Sequence, residues 1–387
     1  MDLSYTEDQR AFRAEVRDWM QTNVPRKPLP SFDASRAGFE AHRAWEAQLN
    51  EGRWSMVTWP EDYGGRGLDL IRWLIFEEEY YGAGAPLRVN QNGIFLLGPT
   101  LMEFGTEAQK ARFLPRMATG EDIWAQAWSE PQAGSDLAAV RAKARRDGDG
   151  YVLSGHKIWS SRAVYADWAF GLFRTDPKSE RHHGLSLILF PLDAPGVTRQ
   201  PIHQINGEHG FAEIFLDEVR VPAENILGAE GEGWKICMAT AGFERGLMLR
   251  SPARYQVAAR ALVQLAESRG DALDPVLRAR VAEATMGAEA YGLSIYVTAS
   301  RLMAGGKIGA EASTNKIFWS ELDIALHETA LDILGPSAEL HPCAPAAPDA
   351  GNWLDGYLFS LAGPIYAGTN EIQRNIIAER MLGLPRK

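Results

Sequence analysis

The middle of this 387-residue chain contains the run Trp168-Ala169-Phe170-Gly171-Leu172-Phe173, followed by Leu185-Ser186-Leu187-Ile188-Leu189-Phe190 and Ala212-Glu213-Ile214-Phe215-Leu216. These runs are short and rich in β-forming residues, and turn residues separate them. No helical segment of ten or more residues lies between them, so a parallel βαβ sheet is not expected. The pattern predicts a small antiparallel barrel or sandwich over residues from about 124 to 222.

On the N-terminal side of these runs the hydrophobic pattern is helical. Thr6-Glu7-Asp8-Gln9 is a capping-box sequence, and the apolar residues that follow, from Phe12 to Met20, fall on one helix face. Further helices are predicted over residues 37–51, 71–80 and 107–117. Residues up to about 122 therefore form a predicted helical layer.

On the C-terminal side the helical period returns after Gly233. Helices are predicted over residues 234–269, 275–302, 310–334, 354–361 and 370–382. Long helices with short connections are typical of a bundle. The chain is thus predicted to be mostly α with a central β domain, divided into a helical domain (1–122), a β domain (123–228) and a helical bundle (229–387).

Composition and charge exclude several classes of protein. The chain has 40 Lys and Arg against 50 Asp and Glu, a net charge of −10, and no basic stripe, so nucleic acid is not an expected partner. No signal-peptide pattern opens the sequence, and no run approaches the roughly 18 apolar residues of a membrane helix. We expect a cytoplasmic protein without a membrane partner.

Metal and thiol chemistry are also not expected. Cys237 and Cys343 stand apart without a CxxC pair, which indicates inert thiols in a reducing compartment. The histidines that could suggest a metal site lack acidic or cysteine partners at ligand spacing; they are His182, His183, His203 and His209. The chain lacks both GxGxxG and GxxxxGK[ST], so a nucleotide cofactor would have to be held in another way.

Three segments could carry chemistry, although each has a purely structural interpretation. The segment Trp128-Ser129-Glu130-Pro131-Gln132-Ala133-Gly134-Ser135-Asp136 offers hydroxyls and amides to a phosphate or a ring carbonyl, or is an ordinary polar turn. Gly155-His156-Lys157-Ile158-Trp159-Ser160-Ser161 offers an indole as core or as a wall for an aromatic cofactor. Tyr366-Ala367-Gly368-Thr369-Asn370-Glu371-Ile372-Gln373-Arg374 predicts a helix capped by Thr369 or Asn370, whose first N–H groups could bind an anion.

In this order and spacing the three segments resemble the signatures of the acyl-CoA dehydrogenases, flavoproteins that oxidise acyl-CoA thioesters. The resemblance runs essentially from Ser4 to Leu384 and includes Leu227-Gly228 and Gly231-Glu232-Gly233-Trp234. It implies an N-terminal helical domain, a middle antiparallel β-barrel and a C-terminal four-helix bundle. This is the order that the periodicity predicts.

The resemblance implies that FAD binds between the β domain and the bundle. Trp128 and Ser129 would bond the isoalloxazine ring, and Ser135 the pyrophosphate or the acyl-CoA. Trp159 would pack beside the flavin, with Ser161 near its N5 edge.

Further matches to the family lie in the C-terminal bundle. Thr369 and Glu371 match positions that touch the cofactor's phosphate and ribose region. Arg245 matches an arginine that helps hold CoA, and Tyr366 is expected to contact the substrate.

The reaction needs a base, because the α-proton of the thioester must leave as the β-hydride goes to the flavin. In the medium- and short-chain branches a Glu occupies the position of Ala367, which cannot accept a proton; its backbone N–H would remain as an oxyanion contact. In the isovaleryl and long-chain branches the Glu directly precedes the CoA-binding arginine on the first long bundle helix. The chain has Phe243-Glu244-Arg245 there, so Glu244 is the predicted base.

A second departure from the fatty-acid branches lies in Arg269-Gly270-Asp271-Ala272-Leu273-Asp274-Pro275-Val276, which lacks the Phe-Gly of their R-x-x-F-G pattern. In those branches the Arg and Phe of the pattern reach the neighbouring subunit's adenine. In this stretch the chain is similar to family members that act on bulky acyl groups such as steroid side chains, dicarboxylates or aromatic acids. Some of those members work as two-gene heteromers. The implied function is FAD-dependent α,β-dehydrogenation of an acyl-CoA in the β-oxidation of fatty acids or steroid side chains. An electron-transferring flavoprotein is the implied acceptor, and the assembly is a homo-oligomer or a heteromer with a second such subunit. Two alternatives stay open: a non-catalytic or partner-dependent subunit, and a flavin oxidase or monooxygenase on the same scaffold.

Overall fold

The computed structural model describes residues 4–244, 251–340 and 344–385, with Phe243, Glu244 and Ala350 described by their backbone alone. Backbone contacts group the chain into two compact units. We call the first the helical unit; it comprises Met1–Val24, Asp69–Ala85 and Arg245–Lys387. We call the second the sheet unit; it comprises Pro25–Leu68 and Pro86–Glu244.

The α-helices are numbered in chain order. They are α1 (Glu7–Asn23), α2 (Arg36–Glu51), α3 (Leu70–Gly82), α4 (Gly98–Phe104), α5 (Glu107–Ala118), α6 (Gly233–Glu244), α7 (Pro252–Glu267), α8 (Pro275–Met303), α9 (Ala312–Leu334), α10 (Asn352–Ser360) and α11 (Asn370–Ile376). Single π-helical turns occur at Asn92–Leu97 and Ile377–Met381.

The strands of the sheet unit form one mixed sheet. They are β1 (Trp124–Ala127), β2 (Lys143–Asp147), β3 (Gly150–Ser161), β4 (Trp168–Arg174), β5 (Leu185–Pro191), β6 (Val197–Ile202), β7 (Phe211–Pro222) and β8 (Ile226–Leu227). Their order is β6-β7-β3-β2-β4-β5-β8, with β1 beside β4. The predicted fold class is confirmed, with helices before and after a central sheet.

In one detail the sheet differs from the predicted antiparallel barrel, because β4 pairs in parallel with both β1 and β2. A parallel pair needs a long connection. Here β2 and β3 lie in the chain between β1 and β4, and β3 lies between β2 and β4. The described pairings run from β6 at one edge to β8 at the other as an open sheet.

The three apolar runs of the sequence form β4, β5 and part of β7. Every residue from Leu185 to Phe190 is buried, as is every residue from Ala169 to Phe173. A strand buried on both faces has a continuous apolar run rather than an alternating one, and α6 packs against both β4 and β5. In β7 the buried residues alternate from Ala212 to Leu216, which indicates one covered face.

In the helical unit, α1 packs against α3, and α7 packs against α3, α8 and α9. The predicted capping box is present: Gln9 N donates to Thr6 Oγ1 (3.2 Å) and Thr6 N donates to Gln9 Oε1 (3.0 Å). The predicted helices over residues 275–302 and 310–334 are confirmed as α8 and α9.

Two helix predictions need revision. The helix predicted over residues 234–269 is described as α6 (Gly233–Glu244) and α7 (Pro252–Glu267), because the backbone of Ser251 is not helical; residues 245–250 lie outside the described residues. Proline is favoured in the first helical turn because its missing N–H needs no partner there. The helix predicted over residues 370–382 is α-helical to Ile376 and continues as a π-helical turn. The division into domains 1–122, 123–228 and 229–387 stays a prediction.

Candidate functional site

In the sheet unit, two of the three segments that the sequence singles out are neighbours. The backbone N–H of Ile158 donates to the carbonyl of Ser129 (2.9 Å). Lys157 Nζ donates to the carbonyl of Trp128 (3.2 Å). The turn after β1 therefore lies along the C-terminal half of β3.

A buried ion pair fixes this turn. Lys157 Nζ lies 2.8 Å from Glu130 Oε1 and 2.6 Å from the carbonyl of Leu172. The Lys157 side chain is fully buried and that of Glu130 is 3% exposed. Burial lowers the pKa of Lys157, and Glu130 opposes that shift. A buried ammonium surrounded by three oxygens is favourable because each of its donors has an acceptor.

Glu130 is held equally firmly by the backbone. Its carboxylate accepts N–H bonds from Arg141 (2.7 Å) and Ala142 (2.8 Å). Burial raises the pKa of Glu130, but Lys157 and these backbone donors outweigh burial, so that the pKa lies below its ordinary value. The turn from Trp128 to Ala133 is thus anchored at its centre.

Trp159 is presented to solvent by an irregularity in β3. The register of β3 against β7 shifts between Lys157 and Ser160, and Trp159 has φ +58°. This left-handed conformation is rare for a bulky residue and costs about 1–3 kcal/mol. The indole is 57% exposed and contacts the edge of Phe211 at 6.0 Å. An exposed flat ring held in a strained conformation can pack against a planar aromatic ligand.

The predicted serines differ in their surroundings. Ser129 and Ser161 are half-buried, and Ser135 is exposed. The carbonyl of Ser161 accepts a hydrogen bond from Asn92 Nδ2 (3.4 Å) at the start of the first π-helical turn. Within the described residues, neither the Ser129 hydroxyl nor the Ser161 hydroxyl has a hydrogen-bond partner, so each can bind a ligand.

The third segment lies in the helical unit. Thr369 Oγ1 accepts the N–H of Ile372 (3.2 Å), which confirms Thr369 as the N-cap of α11. Ala367 has φ +57°, and its carbonyl accepts a hydrogen bond from Gln373 Nε2 (3.2 Å). The half-buried ring of Tyr366 stacks on Trp319 at 5.9 Å. These contacts hold the backbone around Ala367 in a conformation that alanine rarely adopts.

The remaining predicted site residues make fewer contacts or lie outside the residues that the structure describes. Glu371 is exposed and lies 3.7 Å from Arg374. Glu244 is the last residue of α6 that the structure describes, and Arg245 lies outside the described residues. Of the two cysteines, Cys237 is buried and unpaired, and burial raises its thiol pKa; Cys343 lies outside the described residues.

Sequence reasoning missed the Lys157–Glu130 pair. The signal was present, because Lys157 is a charged residue among β-forming residues, two positions before Trp159, and its nearest acidic residue in sequence is Asp149. A charged residue is almost never fully buried unless it is paired. A search for the partner of Lys157 could therefore have found Glu130.

The described residues offer neither a metal site nor a membrane-spanning helix. No group of three or more His, Cys, Asp or Glu side chains is placed to hold a metal ion in the described part of the chain. None of the described helices is long and apolar enough to cross a membrane.

Three family models match successive parts of the chain. The acyl-CoA dehydrogenase N-terminal domain matches residues 6–121, the middle domain residues 125–219 and the C-terminal domain residues 231–382. Members of this family are flavoprotein oxidoreductases that in general depend on FAD.

Comparison of the chain with individual proteins indicates the same family. Acyl-CoA dehydrogenase IpdE1 of Mycobacterium tuberculosis is 41% identical, over 98% of this chain and 99% of the relative. The solved structure of the Tcur3481-Tcur3483 steroid ACAD has a TM-score of 0.89 at 29% identity and covers 100% of both chains. The ChsE4-ChsE5 complex from Mycobacterium tuberculosis has a TM-score of 0.86 at 34% identity and also covers 100% of both chains. The resemblance found in the sequence is confirmed, and the chain belongs to the acyl-CoA dehydrogenase family of oxidoreductases.

Proposed function

We propose that this chain binds FAD and converts an acyl-CoA thioester into a 2-enoyl-CoA by removing hydrogen from Cα and Cβ. One observation carries the proposal: the turn at Trp128 and Ser129 is anchored along β3 beside the exposed, strained Trp159. This arrangement offers a flat apolar surface with hydroxyl groups next to it, which suits a planar ring with polar edges.

The residues of the sheet unit would hold the isoalloxazine ring. The hydroxyls of Ser129 and Ser161 supply hydrogen bonds to its edge, and the Trp159 indole packs beside it. FAD, when bound, supplies a two-electron acceptor for the hydride that leaves Cβ. The exposed Ser135 would reach the pyrophosphate or the acyl-CoA, and Thr369 and Glu371 the phosphate and ribose region.

Glu244 is the base in this proposal. Its carboxylate takes the pro-R proton from Cα, and Arg245 beside it binds CoA. The Ala367 N–H donates to the thioester oxygen, which stabilises the negative charge that develops as the proton leaves. The fixed left-handed backbone of Ala367 supports this role, because a preorganised donor need not reorient during the reaction.

The acyl group in the proposal is bulky. Solved relatives described as a steroid ACAD and as the ChsE4-ChsE5 complex support a ring-bearing acyl-CoA and a heteromer with a second acyl-CoA dehydrogenase subunit. An electron-transferring flavoprotein is the proposed acceptor. The cytoplasmic location stays a prediction.

Flavin reduction tests the proposal directly. The chain is purified alone and with a co-expressed neighbouring subunit, its FAD content is measured, and oxygen is excluded. We expect ring-bearing acyl-CoAs to bleach the flavin absorbance and to yield a 2-enoyl-CoA. FAD-replete protein that no acyl-CoA in a panel of straight-chain, dicarboxylic and ring-bearing thioesters reduces would contradict the proposed function.

A further inference from the structure

The helical unit contains an arginine with spare hydrogen-bonding capacity. Arg254 on α7 donates from Nη2 to Asp323 Oδ2 on α9 (3.2 Å), and this is its one side-chain hydrogen bond within the described residues. A guanidinium carries five N–H donors. The Asp323 side chain is 1% exposed whereas that of Arg254 is 28% exposed, so the arginine is the accessible partner.

Aromatic rings surround this arginine. Its guanidinium carbon lies 5.4 Å from the ring centre of Phe359 and 5.7 Å from that of Tyr255. Tyr255 stacks on Trp319, and both Trp319 and Phe359 contact the ring of Tyr366. A continuous cluster of aromatic rings, in which Tyr255 and Trp319 are buried, therefore extends from Arg254 to the residue that precedes Ala367.

Two buried hydroxyls near Arg254 in sequence have no hydrogen-bond partner among the described residues. Tyr255 OH and Ser251 Oγ are buried, and no hydrogen-bond partner for either lies in the described ranges. Burial raises the pKa of Tyr255 well above its ordinary value, so its hydroxyl stays protonated and available as a donor. A buried polar group without a partner costs about 1–3 kcal/mol, which a bound acceptor would recover.

The charges indicate which acceptor fits. Arg254 and Asp323 together are neutral, and His327 Nδ1 lies 3.3 Å from the other oxygen of Asp323. A carboxylate on the ligand would meet the buried negative charge of Asp323, and a plain hydrocarbon would leave the donors of Arg254 and Tyr255 unpaired. A neutral oxygen avoids the repulsion from Asp323 and also gives the donors of Arg254 and Tyr255 an acceptor.

We propose that Arg254 and Tyr255 donate hydrogen bonds to a neutral oxygen, a ketone or a hydroxyl, on the acyl group far from the thioester. This inference rests on the proposed function, because it places the thioester at Ala367 and the acyl group along Tyr366. It narrows the substrate class to ring-bearing acyl-CoAs that carry such an oxygen.

A matched pair of acyl-CoAs tests the inference. The two share one carbon skeleton, and only one carries the distal oxygen. We expect holoenzyme to prefer the oxygenated substrate in kcat/KM, and Tyr255→Phe to lower that preference about tenfold, the loss of one buried hydrogen bond. For Arg254→Gln we expect a loss of about ten- to a hundredfold, because its hydrogen bond is charge-assisted.

Two further measurements separate recognition from a structural role. Calorimetry with thioether analogues of the same pair, which lack the reactive thioester, should show the same loss of preference in binding. Thermal melting should show Tyr255→Phe no less stable than the parent, since it removes an unpaired hydroxyl. The exposed Arg260 on α7 gives the control Arg260→Gln, for which we expect an unchanged preference.

The possible failures are distinguishable. If FAD-replete enzyme oxidises both substrates equally well, or if both variants lose the two activities in parallel, this inference is wrong and the proposed function stands. If the enzyme oxidises neither substrate and binds neither analogue, both this inference and the proposed function are wrong. A preference that survives Tyr255→Phe and Arg254→Gln unchanged would also overturn the inference.

Discussion

Lys157 Nζ lies 2.8 Å from Glu130 Oε1, and neither side chain is more than 3% exposed. The pair joins β3 to the turn that carries Trp128 and Ser129, through a second bond from Lys157 to the Trp128 carbonyl. Its function is to position that turn, since neither group is accessible to a ligand.

Removing the lysine should be costly. Lys157→Met leaves the Glu130 carboxylate buried and unpaired, so we expect the free energy of unfolding to fall by about 3–5 kcal/mol. Urea denaturation measures this, and FAD content after purification reports the position of the turn. Arg145→Met serves as the control, because its pair with Glu218 is more than 60% exposed on both sides and is worth about 1 kcal/mol or less. Equal losses of unfolding free energy and of FAD content in Lys157→Met and Arg145→Met would contradict the positioning role of the pair.

The same pair predicts a dependence of stability on pH. The pKa of Glu130 is lowered in the folded protein, so the unfolded chain binds the extra proton first as the pH falls below the ordinary value of 4.5. Glu130 therefore stabilises the fold above that pH and loses this contribution as the pH falls towards its folded pKa. Urea denaturation at several pH values between about 6 and 3 should show a shallower decline for Glu130→Gln than for the parent. Identical slopes would refute the prediction.

Trp159 is expected to bind the flavin rather than to stabilise the fold. Trp159→Ala should weaken FAD retention about tenfold, because an aromatic contact contributes about 0.5–1.5 kcal/mol beyond its buried area. Stability should change little, since the indole is 57% exposed. Retention of FAD during dialysis measures the effect. Ile205→Ala, at a side chain that is 86% exposed, is the control and should retain FAD; a matching loss there would show that exposure alone explains the result.

The backbone of Ala367 is expected to matter more than its side chain. Ala367→Gly can keep φ +57° and the N–H, so kcat should stay close to that of the parent. Ala367→Pro cannot adopt a positive φ and has no N–H, so kcat should fall by about 10²–10³-fold. Steady-state kinetics of the two variants, each with measured FAD content, makes the comparison. A glycine variant as slow as the proline variant would argue against the oxyanion contact.

Local features could be predicted from the sequence because their causes are local. The capping box of Thr6 and Gln9 and the N-cap at Thr369 depend on residues three positions apart. The helix α8 follows from apolar periodicity over one continuous segment. Each of these was visible without knowledge of the fold.

The long-range features could not be predicted in the same way. Glu130 and Lys157 are 27 positions apart, and Arg254 and Asp323 are 69 apart, so neither pairing appears in any sequence window. The parallel pairing of β1 with β4 and the irregularity that exposes Trp159 depend on register, which distant strands set. Pattern and composition specify which side chains are available, and the tertiary fold decides which of them meet.

Two substitutions together test the proposed role of Glu244 as the base. Glu244→Gln is nearly isosteric but cannot accept the α-proton, and general-base catalysis contributes about 10²–10⁴-fold. Ala367→Glu in that background places a carboxylate where the medium- and short-chain branches have theirs. A partial return of activity in the double variant would identify the missing function as proton abstraction.

The decisive measurement is the rate of flavin reduction by an acyl-CoA in the absence of oxygen, recorded for parent and Glu244→Gln enzymes of equal FAD content. We expect a rate at least about a hundredfold lower in the variant. An undiminished rate in Glu244→Gln would contradict the proposed role of Glu244.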